Sequence, residues 1–250
     1  MNFLKTHNLS YIGNTNSSAK IAKNEKKKIL TYIIYLAPSN QSGYNVCPKA
    51  TAECIKACLS ESGHNRIDTS GRINASRIKK TKLFYESRID FVDAVAKEIA
   101  NAEKRAQKLG YGFSVRLNGT SDLSPTLFVG SDGKSLLEKF SHIQFYDYTK
   151  VLNRTKVIAK HSNYDLTFSY SGSNWSECVE ALDNGMRVAV VFQGKQLPTE
   201  WMGYQVVDGD ETDLRYLDPV KSIVGLRFKK VRNKIEDSSF IVDPNIALAV

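Results

Sequence analysis

The chain has 250 residues, a net charge of +9, and hydrophobic and charged fractions of 42% and 24%. That length can bury a full core, as one large α/β domain or two small ones. No apolar run approaches the ~18 residues of a membrane span, and four cysteines are too few for a disulfide scaffold.

With no signal-peptide pattern at the N-terminus, a cytoplasmic protein is expected. The basic excess, gathered at 20–28, 66–88 and 227–234, makes nucleic acid a candidate partner. No helix-turn-helix, zinc-finger or RNA-binding-sheet pattern accompanies that charge.

Residues 1–28 are polar, rich in Asn, Ser and Lys, and read as a surface arm with at most a short strand at 9–12. Residues 29–250 read as a single domain. The β-branched and aromatic run 29–36 is the first buried strand, and a turn-rich loop, 37–43, follows it.

Three of the four cysteines come next, Cys47, Cys54 and Cys58, in a C-x6-C-x3-C pattern. Pro48 is placed to open a helix, and Cys54 and Cys58, at i and i+4, share one face of it. A loop thiol and two helix thiols then converge, which in a chain without disulfides points to a soft metal or an iron–sulfur cluster. A closed zinc site needs a fourth ligand, for which His64 and Cys178 are the candidates. Cys178 sits in a helical stretch and reads as a packed thiol.

A helix is expected to begin near Asn74, followed by a long one over 82–109 whose apolar residues recur at helical spacing, with Gly110 as its C-cap. Strands and helices then alternate. Strands are expected at 112–117, 142–148, 164–169, 187–192, 204–208 and 222–228, and helices at 136–140 and 175–182, with 153–161 helical or irregular. Seven strands with mostly helical connections indicate a parallel sheet, here an α/β fold built as an incomplete (β/α) TIM-like barrel. Functional residues then belong at the carboxyl ends of the strands. Asn118, Asp122, Asp147, Lys150, Ser169 and Asp208 stand at such ends and are candidates for binding a cofactor.

A three-cysteine loop after the first strand of such a series resembles the site of radical S-adenosylmethionine enzymes. The resemblance implies a [4Fe–4S] cluster on Cys47, Cys54 and Cys58, with one iron open to S-adenosylmethionine. It also implies a role for Asp122 toward the methionine amino group. The spacing departs from that family's usual C-x3-C-x2-C, and Ala57 stands where an aromatic residue usually precedes the last cysteine. Zinc is the alternative metal, in a nucleic-acid-binding protein of phage replication or host takeover.

Four stretches in order, 46–59, 115–122, 144–150 and 209–219, resemble a phage protein family named after a mycobacteriophage gene product numbered eighty-eight. The resemblance covers about 31–242. It implies a phage or prophage origin and a cysteine-bound cofactor, and leaves the substrate open.

Overall fold

The computed structural model describes residues 3–15, 19–58, 68, 70–229 and 238–245. The expected break at 60–65, His64 within it, and the basic residues 230–234 lie outside the described residues.

The expected strands are present: β2 (Ile29–Ile34), β3 (Gly112–Arg116), β4 (Gln144–Thr149), β5 (Tyr164–Ser169), β6 (Arg187–Phe192), β8 (Tyr204–Asp208) and β9 (Ile223–Arg227). Three two-residue strands join them: β1 (Gly13–Asn14), β7 (Glu200–Trp201) and β10 (Ile241–Val242). The sheet order is β1-β2-β3-β4-β5-β6-β9-β8-β7, and β10 pairs with β6. From β2 through β8 every neighbouring pair is parallel; β1 and β7 pair antiparallel at the two edges. Among the described strands no ladder joins those edges. The fold is therefore mixed α/β with a mostly parallel open sheet, and the expected barrel is not closed.

Four helices flank the site and its sheet: α1 (Ala52–Lys56), the pair α2 (Arg72–Glu86) and α3 (Arg88–Leu109), and α4 (Trp175–Asp183). The long helical stretch breaks at Ser87, with φ −141° and ψ 51°, not near residue 82. Gly110 ends α3 in the left-handed region, as its position predicts. The apolar face of α3, with Phe91, Val92, Val95 and Ile99, and that of α4, with Cys178, Ala181 and Leu182, belong to one core cluster. It takes in Val115, Phe145, Leu166, Phe168, Val188 and Val190 from the sheet. Burying each such phenylalanine contributes about 1.5–3 kcal/mol.

The register alternates cleanly. Phe145 pairs with Val115 and Tyr164, and Phe168 with Val188, so these residues share the helix-covered face. The other face carries Ser114, Arg116, Tyr146, Tyr148, Thr167, Ser169 and Ala189. This second face is polar at its base. Thr31 Oγ1 lies 3.0 Å from Ser114 Oγ, and Arg116 Nη1 donates to Asp213 Oδ2 at 2.8 Å.

The segment expected as a polar arm takes part in that interior. Asn24 is fully buried, accepts from the Asp213 backbone N–H at 2.8 Å and donates to Thr31 Oγ1 at 2.9 Å. Ile12 and Ile21 are also buried. Polarity here marks hydrogen bonding to an interior network rather than exposure.

Candidate functional site

The loop between β2 and α1 is folded around Cys47. Val46 N–H donates to Ser39 O at 2.9 Å, Ser39 N–H donates to Cys47 Sγ at 3.4 Å, and Cys47 N–H donates to Asn45 Oδ1 at 2.9 Å. The helix opens at Ala52 rather than at Pro48, and Thr51 caps it: its Oγ1 accepts from Cys54 N–H at 3.1 Å and donates to Ser171 O at 3.2 Å. Helix α1 is one residue longer than a turn, so Cys58 falls just beyond its end, held by a bond from its N–H to Ile55 O at 3.3 Å.

The loop after β3 closes against this segment. Asp122 N–H donates to Val46 O at 2.7 Å, Gly119 N–H to Ile34 O at 2.9 Å, and Thr120 Oγ1 to Leu36 O at 2.5 Å. Gly119 lies so near the first strand that a Cβ there would stand 2.6 Å from the Tyr35 ring. A side chain at that position would push the two loops apart.

Cys47, Cys54 and Cys58 line a single cavity of about 210 Å³ at the carboxyl ends of the strands. With Cys58 past the end of α1, the helix face expected to carry both Cys54 and Cys58 carries only Cys54. Arg116, Tyr148, Ser169, Ala189, Val191 and Leu226 form the sheet side of the cavity, all on the face away from the helices. Phe228 and Phe240 add apolar wall. Cys178 is not among the lining residues; it is fully buried in the helix layer.

Of the six polar candidates, Asn118, Asp122, Lys150 and Ser169 line the cavity, and Asp147 and Asp208 do not. Side-chain parity explains the difference. Asp147 lies between Tyr146 and Tyr148 and points to the helix-covered face. There its carboxylate accepts from Asn118 N–H at 2.8 Å, Asn118 Nδ2 at 3.1 Å and Tyr164 OH at 3.2 Å. Burial pushes the Asp147 carboxyl up to about 6, against the opposing pull of Arg116 and these donors. Asp208 pairs in register with Gly225, also on the covered face, and takes both terminal nitrogens of Arg227 at 2.8 Å. Its neighbour Asp210 reaches the cavity instead.

Two of the four lining candidates are held by protein partners. Asp122 forms an ion pair with Arg154, and its other oxygen accepts from Lys150 N–H at 2.9 Å. Asn118 Oδ1 accepts from Ser121 Oγ at 2.8 Å and Leu123 N–H at 2.9 Å, while its amide donates to Leu123 O and Asp147. Both shape the loop on which the cavity rests.

Lys150 differs. Its side chain lines the same cavity as the three thiols, and its ammonium lies 6.0 Å from the Phe240 ring centroid. Burial works to lower this lysine, but Cys54 and Asp122 outweigh it and hold the ammonium above the ordinary lysine value. Burial pushes the Cys47 thiol up to about 11; Ser39 N–H and Lys150 act against that, Cys58 and Asp122 with it. Any metal taken up here must therefore displace a proton from Cys47.

Arg227, Lys229 and Phe240 also line the cavity, and sequence reasoning missed all three. Phe240 arrives beside β10, which pairs with β6 at Val191 and Phe192, beyond the last β5 partner at Ala189. A two-residue strand offers no periodic signal.

The family model described as Gene product 88 matches residues 4–244. The chain belongs to the Gene product 88 family. No curated protein and no solved structure matches it. In this family member no helix among the described residues is long and apolar enough to cross a membrane. Among the described residues, no group of three or more His, Cys, Asp or Glu is drawn together as the ligands of one metal ion would be.

Proposed function

We propose that this phage-type protein binds a [4Fe–4S] cluster through Cys47, Cys54 and Cys58 and a small molecule beside it, as an S-adenosylmethionine-dependent or other redox protein. The observation that carries this reading is the shared cavity. Three thiols from one loop-and-helix segment line one cavity at the carboxyl rim of a parallel sheet, and Cys178 does not.

The donor set fits the group. Thiolates are the ligands that iron–sulfur clusters take, and three of them leave one iron without a protein ligand. When bound, the cluster supplies one-electron chemistry and an open coordination position. A tetrahedral zinc would hold its sulfurs only ~3.8 Å apart, from bonds of about 2.3 Å. A cubane places each cysteine on a different iron, so it suits thiols that line a cavity without closing on one point. Zinc would also need a fourth ligand; of the two candidates, Cys178 does not line the cavity and His64 lies outside the described residues.

Strand order supports the relation to radical S-adenosylmethionine enzymes. Strands β2 to β6 pair in chain order, the connectivity of a barrel half rather than of a doubly wound sheet. For the small molecule, Lys150 offers an ammonium to a carboxylate, and Ala189, Val191, Leu226, Phe228 and Phe240 offer an apolar wall. Nucleic-acid contact rests on the net charge of +9 alone and carries no separate proposal.

Anaerobic reconstitution with iron and sulfide tests the reading. The wild-type chain should take up about four irons and turn brown, and a variant with all three cysteines changed to Ala should take up none. Equal iron in both would end the proposal. Calorimetric titration of the loaded protein with S-adenosylmethionine tests the ligand; no heat would leave a cluster protein serving another molecule.

A further inference from the structure

The cations and carboxylates lining the cavity sort into pairs. Arg116 bonds to Asp213 at 2.8 Å, Arg227 to Asp208 at 2.8 Å, Lys229 to Asp210 at 3.5 Å, and Asp122 to Arg154. Among the described residues, Lys150 is the lining cation with no carboxylate ion pair. Its backbone N–H, not its ammonium, bonds to Asp122. Its side chain lines the same cavity as Cys47, Cys54 and Cys58, and a partly buried lysine with no carboxylate in ion-pair contact is costly.

Resting on the cluster reading above, we infer that Lys150 is the built-in counter-charge of the metal–thiolate site and sets its reduction potential. Three thiolates on a dicationic oxidised cubane leave one net negative charge, and one ammonium cancels it. Reduction adds an electron to the cluster, and the ammonium stabilises that added charge more than it stabilises the oxidised form. Potentials of such clusters follow net charge, hydrogen bonds to sulfur and exposure. Lys150 supplies the first, and Ser39 N–H, donating to Cys47 Sγ, supplies the second. Lys150 is a positioning residue here: it acts through the cluster's charge.

The test uses the full chain, reconstituted anaerobically, as wild type, Lys150→Met and Lys150→Arg. Iron per chain is measured first, then the midpoint potential by dye-mediated titration. Lys150→Met should keep its iron and become at least tenfold harder to reduce, a midpoint more negative by about 59 mV. Lys150→Arg should return most of that change, because it keeps the charge on a different shape. Loss of the cluster in Lys150→Met with retention in Lys150→Arg also supports the inference, since charge is then what holds the site. Full iron with an unmoved potential in Lys150→Met overturns it, as does loss of the cluster in both variants. A wild-type chain that takes up no iron overturns the underlying proposal as well, so the two failures are told apart by the first measurement.

Discussion

Arg116 Nη1 and Asp213 Oδ2 meet at 2.8 Å across 97 positions of sequence, both side chains buried. The pair ties the end of β3 to the segment after β8, beneath the cavity. Asp213 Oδ2 also accepts from Tyr146 OH at 3.2 Å, and Asp213 N–H from the same segment donates to Asn24. Removing one partner leaves a buried charge, so Asp213→Ala should lower unfolding free energy by about 3–5 kcal/mol. The double variant Arg116→Met/Asp213→Leu should recover more than half of that loss. Urea unfolding of wild type and the two variants measures both effects, and a double variant no more stable than Asp213→Ala would show that the pair does not act as a unit.

Single cysteine variants should divide three to one. Cys47→Ala, Cys54→Ala and Cys58→Ala should each lose most of the iron that the reconstituted chain takes up. Cys178→Ala should keep it and cost only about 1 kcal/mol of stability, as one small change in the helix layer. Iron assay and thermal unfolding of the same preparations separate the outcomes. Loss of iron in Cys178→Ala would make four ligands necessary.

Asp147 gives a pH dependence of unusual sign for a carboxylate. Its folded pKa is raised from 3.8 to about 6 by burial. A raised folded value adds stability that is fully present below the unfolded pKa and lost as pH rises through the folded one. Wild type should therefore gain on Asp147→Asn by up to about 3 kcal/mol as pH falls from 6 to 4. Denaturant unfolding of both proteins across that window checks it; a constant difference would mean that Asp147 ionises normally.

Gly172 lies at φ +104°, where a Cβ would stand 2.5 Å from Ser239 Oγ and 2.9 Å from Glu53 Oε2. Those two side chains bond at 2.6 Å and join the C-terminal segment to the cysteine helix. Gly172→Ala should destabilise by about 1–3 kcal/mol through backbone strain and the broken approach. Ser239→Ala, which removes only an exposed bond, should cost less than about 1 kcal/mol. Thermal unfolding ranks the two, and equal losses would put the effect in the bond rather than in the backbone.

Much of the sheet was legible in the chain itself. Strands 164–169, 187–192 and 204–208 lie where their apolar, β-branched runs place them, because strands covered on both faces need continuous apolar stretches. That Cys47, Cys54 and Cys58 line one cavity follows from their standing within twelve positions of one segment. Their exact setting was not legible: the helix opens at Ala52 and not at Pro48, because the Thr51 hydroxyl caps it by bonding both Cys54 N–H and Ser171 O.

Which strand-end residues face the cavity, and which charges remain available there, depended on the folded sheet. Asp147 and Lys150 look alike in sequence, each polar and each near the end of β4. The pleat turns Asp147 toward the helices and Lys150 toward the thiols, because successive side chains alternate faces and the register of neighbouring strands says which face is covered. Likewise Asp122 and Lys150 read as equal candidates until Arg154, thirty-two positions from Asp122, neutralises one of them. Long-range pairing of charges depends on where distant strands come to lie, and no local pattern encodes that. Local pattern placed the main strands and put three cysteines in one segment; the folded sheet placed Lys150 in their cavity without a carboxylate ion pair.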